Sequence, residues 1–450
     1  MTRDPDSDDR SAGQPVPLEA RSSRVSVAGP VAPSKRILTL DVLRGVALLG
    51  ILIVNTAVFF APLSWMMIAD SVWTDGADRV ASFAMSWLAH GKFYTLFSML
   101  FGLGMWLQLR RAMERAAAPA PPWEPPGEVG YASVAASGGS GAFVWLYVRR
   151  LGVLLAIGLA HGLLLWFGDI LATYAVCGVA LLVLRFAPDR WLLVIGAGLL
   201  LLSLLPTAAF TLLALLTGGM GDAMEAFRQA GESELAAYRS ASLGVIQQQR
   251  LRDWMLTSTY MLFVTPTVLA MFSLGLVIGR RRLIEDAAKH LRLWRMLALI
   301  GLPVGLLFNF GHAMLTSMVE LTPTSLVGHV LLTIGAPLLM LGYVACVVLL
   351  MQVGTVRRLA APIAAAGRMA LSNYLLQSVV CTTLSYGYGL GLMGHLGPAQ
   401  WMGVALLLFA IQCPLSMLWL RFFRFGPAEW LWRTLTYGRI QPLLRPAEAV

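Results

Sequence analysis

The stretch ILTLDVLRGVALLGILIVNTAVFF, residues 37–60, decides the fold class. Only Asp41 and Arg44 are charged in it, and a helix needs about 20 mostly apolar residues to cross a bilayer. Similar runs recur at 88–109, 147–167, 169–186, 191–216, 256–279, 293–316, 326–352, 370–390 and 401–420. Together they predict an all-α polytopic transmembrane helical bundle of about ten spans. The whole chain agrees: of 450 residues, 57% are hydrophobic and 13% charged, against about 25% charged in soluble domains. With a mean hydropathy of +0.70, there is too little polar surface for a soluble enzyme of ordinary design. Disorder, coiled coil and disulfide scaffold are excluded as well. The lipid bilayer is the first partner.

The 34 Lys+Arg against 24 Asp+Glu give a net charge of +10, and their placement reads as orientation, not nucleic-acid binding. Lys35, Arg36, Arg110, Arg111, Arg149, Arg150, Arg185, Arg190, Arg280–Arg282, Arg357, Arg358, Arg421 and Arg424 fall on one side if every run crosses. Asp70, Asp75, Asp78, Asp222, Glu232 and Glu320 fall on the other. The positive-inside rule then puts both termini in the cytoplasm.

Around the spans, 1–35 reads as a disordered polar tail, with spans 1 and 2 in 36–110. An Ala/Pro/Gly/Ser-rich cytoplasmic linker occupies 111–143, spans 3–5 lie in 144–217, and an external segment in 218–255. Spans 6–10 fill 256–420, and 421–450 reads as an interfacial amphipathic segment with Trp430, Trp432 and Arg433. The four cysteines sit in apolar runs without metal-ligand spacing, and no metal site is expected.

Ionisable groups inside spans are costly and are candidates for function by default. Asp41 and Arg44, three apart, can pair on one helix face. Asn55, fourteen residues on, returns to within about 40° of the Asp41 direction. His90 and Lys92 open the second span, where Lys92 either snorkels to the interface or contacts an anion or carbonyl in an outward-opening cavity. On the third span Arg150 and His161 share a face to within about 20°, with Arg149 beside the first and Asp169 following at a short turn. A buried histidine with a nearby carboxylate is the usual general-base arrangement; the bland alternative is a satisfied interhelical hydrogen bond. Asn373 and Gln377 step by four with Cys381, beside Tyr374, Ser378 and Thr382, and such a stripe faces other helices or a wet cavity. His290, His312, His329 and His395 show no partner constellation.

The run Leu40-Asp41-Val42-Leu43-Arg44-Gly45 with Asn55 resembles the YeiB-like bacterial membrane family. So do His90-Gly91-Lys92-Phe93, His161 through Trp166 to Asp169-Ile170-Leu171, Gly367 through Tyr374, and Phe425-Gly426-Pro427-Ala428-Glu429-Trp430. The resemblance covers about 36–445. Its last third looks like that family's C-terminal domain of unknown function, and it implies a multi-pass protein of the bacterial plasma membrane. The first span is also similar to that of heparan-α-glucosaminide N-acetyltransferase, which shares the Asp, Arg-Gly and Asn at this spacing. That likeness implies acyl transfer from a cytoplasmic thioester to an external acceptor, with Asp41, Arg44, Gly45 and Asn55 as structural or donor-site residues. The acetyltransferase's histidine, eleven positions after its Asn, is here Met66, so His161 or His90 would have to substitute.

Three functions remain open. In a membrane acyltransferase, Arg44, Arg149, Arg150 and Arg280–Arg282 would hold acyl-coenzyme A phosphates as a co-substrate, with no tightly bound cofactor. His161 with Asp169 would deprotonate a small-molecule acceptor, and Asn55 or Lys92 would stabilise the oxyanion. A small-solute transporter would use Asp41, Arg44, His161 and Asp169 as a pathway. A non-catalytic scaffold is the third reading. Nothing in the sequence sets an oligomeric state.

Overall fold

A computed structural model describes residues 37–68, 72–116, 141–216, 221–316 and 323–445. The tail over 1–35, most of the linker over 111–143 and the loop acids Asp70 and Glu320 lie outside the described residues. Among those described, the secondary structure is helical apart from one isolated bridge between Phe423 and Leu444.

The helices are α1 (Leu38–Phe60), α2 (Gly76–Leu88), α3 (Lys92–Ala116), α4 (Gly141–Leu164) and α5 (Leu171–Leu184). Next come α6 (Asp189–Leu202), α7 (Leu205–Leu216), α8 (Gly221–Arg239) and α9 (Leu243–Arg280). A short α10 (Leu291–Met296) continues through a π turn at Leu297–Gly301 into α11 (Leu302–Thr316). The chain ends with α12 (Pro323–Leu350), α13 (Gly354–Leu359), α14 (Ala361–Arg368), α15 (Ala370–Ser385), α16 (Pro398–Phe422) and α17 (Pro427–Tyr437).

Seven of the ten apolar runs carry helical segments long and apolar enough to cross a membrane: Leu38–Phe60, Phe143–Leu164, Asp189–Ala209, Leu243–Arg280, Ala287–Thr316, Leu326–Leu350 and Pro398–Phe422. The other three runs carry α3 (25 residues), α5 (14 residues) and α15 (16 residues). The outer surface of the bundle bears Val183, Leu193, Leu201, Leu256, Leu262, Leu299, Ile300, Leu307 and Leu407, all exposed. A soluble protein would not tolerate so extensive an apolar surface. Helices suit a lipid setting because each satisfies its own backbone groups. The chain is a polytopic helical membrane protein.

Close helix approaches organise the interior. On α14, Gly367 lies against α1: a Cβ there would collide with the Asp41 carbonyl oxygen and come within 2.6 Å of the Gly45 nitrogen. This is the small-residue contact that lets membrane helices meet backbone to backbone. Since Gly394 N–H donates to the Phe60 carbonyl at 2.7 Å, the segment from α14 to the end of α15 runs alongside α1. Call the end where α1 starts the lower end and the end where it finishes the upper end.

The lower end is stapled by ion pairs. Arg110 makes a two-point contact with Glu285 at 2.6 and 2.8 Å. Arg280 donates to the carbonyls of Arg185 and Ala187, each at 2.6 Å, and to Asp189 at 3.2 Å. Arg281 pairs with Asp189 at 2.9 Å and Arg282 with Glu285 at 3.0 Å. The rim arginines 280–282 are thus engaged with this protein's own acceptors.

Candidate functional site

The turn Leu165–Ile170 between α4 and α5 brings the central pair together. Asp169 accepts from the Ala172 backbone N–H at 2.8 Å through Oδ2, capping the start of α5 as a short acidic side chain does. Its Oδ1 lies 2.9 Å from His161 Nδ1. One carboxylate oxygen therefore fixes the carboxylate on the helix, and the other orients the imidazole. His161 is in the last turn of α4, whose final carbonyls would lack partners. The polar start of α9 supplies them: Gln247 Nε2 donates to Leu163 at 2.7 Å and Arg250 to Leu164 at 2.6 Å.

The remaining imidazole nitrogen has a partner on a distant element. His161 Nε2 lies 2.8 Å from Ser378 Oγ on α15. With Nδ1–H donating to Asp169, Nε2 is the bare acceptor, and the serine O–H donates to it. His161, Asp169 and Ser378 are all buried. The Tyr374 ring centroid is 5.1 Å and the Trp166 centroid 6.1 Å from that of His161.

Both aromatic residues also line a cavity of about 320 Å³ in the upper half of the bundle. Asn55, His90, Gly168, Thr257 and Pro337 contribute to its walls, so α1, the α2–α3 and α4–α5 turns, α9 and α12 all meet there. Trp166 Nε1 and Thr257 Oγ1 are buried without a hydrogen-bond partner among the described residues. His90 is placed by Gly91, whose φ of +85° makes the α2–α3 turn.

The other candidates separate from this centre. Arg44 and Asp41 pair at 2.9 Å, as their spacing predicts, but at the lower end, about 16 and 21 Å along the axis from Asn55. Lys92 does not snorkel. It is fully buried, and Nζ donates to the Ser86 carbonyl at 2.9 Å. Asn373 and Gln377 hold α15 against α16 and do not line the cavity. Asn373 Nδ2 donates to Ala366 O and Ser416 Oγ at 3.1 and 3.0 Å, and Gln377 Nε2 to Gln412 Oε1 at 2.8 Å.

Arg150 lies at the lower end in a small pocket of about 50 Å³ with Gln108, Glu429, Arg433 and Tyr437. Its guanidinium reaches Gln108 Oε1 at 3.2 Å and lies 4.0 Å from the Trp432 ring centroid. Arg149 approaches Gly438 nearby. Glu429 of α17 caps α15, accepting from the backbone N–H groups of Leu371 and Ser372 at 2.7 and 3.2 Å and from Ser372 Oγ at 2.5 Å.

Sequence reading missed two long-range features. One is Ser378, noted only as part of a polar stripe. The other is a histidine array: His90 stacks on His312 at 6.0 Å, and His312 meets His329 at 5.8 Å edge to face. His312 and His329 therefore do have a constellation. Among the described residues, no group of three His, Cys, Asp or Glu is placed to hold a metal ion.

Residues 278–439 match the family described as "Protein of unknown function (DUF418)". The chain is 35% identical to the uncharacterized protein YxaH of Bacillus subtilis (strain 168) over 432 residues, covering 92% of this chain and 98% of that one. It is 27% identical to the uncharacterized protein YeiB of Escherichia coli (strain K12) over 427 residues, covering 91% and 98%. No solved structure matches. Ser378 falls inside the DUF418 region while His161 and Asp169 precede it, so the site joins that region to the rest of a chain matched nearly end to end. The chain belongs to the YeiB-like family, whose C-terminal part is the DUF418 domain of unknown function.

Proposed function

We propose that this protein is a membrane acyltransferase, moving an acyl group from a cytoplasmic thioester donor to an acceptor in the upper cavity. The observation that carries the reading is the buried chain Asp169–His161–Ser378, whose imidazole packs against Tyr374 and Trp166, two residues that line the 320 Å³ cavity. Asp169 holds His161 with Nε2 bare, and an imidazole in that state takes a proton from a hydroxyl as the hydroxyl attacks an acyl carbon. Trp166 Nε1, a buried donor without a partner beside the imidazole, suits the carbonyl oxygen on which charge develops. Asn55 and His90 line the same cavity and would orient the acceptor. Acyl-coenzyme A is the expected co-substrate, its phosphates meeting Arg150 and Arg433 at the lower pocket, where guanidinium and phosphate pair in two-point fashion. Lower end and upper end then correspond to cytoplasm and exterior, in keeping with the arginine distribution.

The test is binding and turnover of labelled acetyl-coenzyme A by full-length protein in nanodiscs. Arg150→Ala is expected to weaken binding by about tenfold or more, the value of one charge-assisted hydrogen bond. His161→Ala is expected to bind normally and to lose thioester consumption. No binding at any concentration, together with proton-coupled solute uptake in vesicles, would overturn the transferase and establish a transporter.

A further inference from the structure

We infer that Ser378 is a catalytic nucleophile, carrying the acyl group as an ester on its Oγ between donor and acceptor. This inference rests on the transferase reading for the identity of the acyl donor, while the geometry of the serine stands by itself. A serine hydroxyl is a weak nucleophile until a base takes its proton, and the arrangement that activates it is serine to imidazole to carboxylate. Those contacts are present here at 2.8 and 2.9 Å. They come from three elements: α4, the α4–α5 turn and α15. The alternative partner of the Ser378 hydroxyl, the Tyr374 carbonyl, is 3.4 Å away. The single hydroxyl proton is therefore directed at His161.

The depth of Ser378 gives the covalent step a purpose. Ser378 is eight residues from Ala370 and seven from Ser385 at the two ends of α15, hence about 12 and 10 Å from its ends at 1.5 Å per residue. Its partner His161 stands eleven residues beyond Arg150 on α4, about 16 Å above the arginine pocket along the axis, and against Trp166, which lines the 320 Å³ cavity. Tyr374, one turn earlier on α15, lines that cavity and lies against the imidazole. An ester on Ser378 lets donor and acceptor bind in turn, without occupying one place at one time.

In the first half, Ser378 Oγ attacks the thioester carbonyl carbon, and its proton passes to His161 Nε2. The carbon–sulfur bond breaks, and the leaving thiolate takes that proton to depart as a free thiol. In the second half, an acceptor hydroxyl or amine gives its proton to Nε2 and attacks the serine ester. The ester bond breaks, and the proton returns to Ser378 Oγ. Asp169 keeps its hydrogen bond to Nδ1 and stabilises the imidazolium in both halves. No oxidant, reductant or metal enters the balance.

The test uses full-length protein in nanodiscs and a fluorophosphonate probe, which reacts with activated serines, followed by peptide mass spectrometry. A parallel arm uses [14C]acetyl-coenzyme A. Wild type is expected to carry the phosphonyl group on Ser378 and, in the parallel arm, a hydroxylamine-labile acetyl group on the same residue. Ser378→Ala and His161→Gln are expected to lose fluorophosphonate labelling by about 100-fold or more, the scale of general-base assistance. Ser378→Cys keeps a nucleophile of similar size and is expected to fold like wild type and to exchange fluorophosphonate for iodoacetamide reactivity. Wild type that takes up no probe on Ser378 overturns the inference. So does Ser378→Ala that still consumes acetyl-coenzyme A at the wild-type rate, which would leave the transferase reading standing with direct transfer. Labelling of Ser378 without any thioester consumption keeps the nucleophile and removes the transferase reading.

Discussion

Replacement of Asp169 separates its two tasks. Its side chain is 2% exposed, and it accepts two hydrogen bonds, from His161 Nδ1 at 2.9 Å and from Ala172 N at 2.8 Å. Asp169→Ala leaves both donors buried without acceptors. At about 1–3 kcal/mol for each unsatisfied group, the loss is about 2–6 kcal/mol. Asp169→Asn keeps an oxygen for the Ala172 N–H and turns an amide N–H₂ toward the imidazole. It costs only the difference between a charge-assisted and a neutral hydrogen bond, about 1–2 kcal/mol. The amide donates where the carboxylate accepted, so Nδ1 must become the acceptor and Nε2 must carry the proton. Ser378 then faces a donor and loses its base. SDS unfolding titrations give the two stabilities, and 15N spectra of histidine-labelled protein report the His161 tautomer. Equal losses for Asn and Ala, or an unchanged tautomer in Asp169→Asn, would refute the assignment of roles.

Gly367→Val forces a branched side chain into the Asp41 carbonyl and the Gly45 amide, and a loss of about 1–3 kcal/mol or more is expected from overpacking. Gly104→Ala, on α3 with open space around it, is expected to gain up to about 1 kcal/mol from helix propensity; the same titration reads both. Burial pushes the Glu285 carboxyl up, but the Arg110 and Arg282 guanidiniums more than offset this and hold it below the usual glutamate range. Its contribution is therefore fully present above that range and lost as pH falls through the lowered folded value, and Glu285→Gln is expected to flatten this acid limb in thermal melts against pH. Lys92 is fully buried with one carbonyl partner shown, so Lys92→Met is expected to be neutral or stabilising, by up to about 4 kcal/mol; a large loss in unfolding titrations would show that the ammonium holds the turn. Asn55→Cys in a background without native cysteines is expected to react with an impermeant maleimide added outside intact cells, and labelling only after lysis would reverse the orientation.

The bundle was legible because apolar runs of about 20 residues have one solution in lipid, a helix. Helix lengths were not. Leu243 through Arg252 includes Gln247, Gln248, Gln249 and two arginines, so hydropathy stops there although helix propensity does not, and α9 runs 38 residues. The His161–Asp169 contact was legible from its separation of eight residues across a short turn. Ser378, 217 residues from His161, and the array of His90, His312 and His329 depend on which helices adjoin, and neither period nor composition carries that. The sequence offers Arg280–Arg282 as orientation charges and phosphate-binding candidates and cannot reveal their acceptors, because Asp189, Glu285 and the carbonyls of Arg185 and Ala187 come together only in the folded chain.

The Glu429 contact with the start of α15 also bears on how the protein is made. Asp169 and His161 leave the ribosome before Ser378, and Ser378 before Glu429. Until α17 arrives, the first N–H groups of α15 lack the carboxylate that holds them. A chain cut short before Pro427 would carry Ser378 on a helix whose first turn lacks its carboxylate cap. The cap on the serine's helix is thus a contact the chain can make only after all the other described helices have been synthesised.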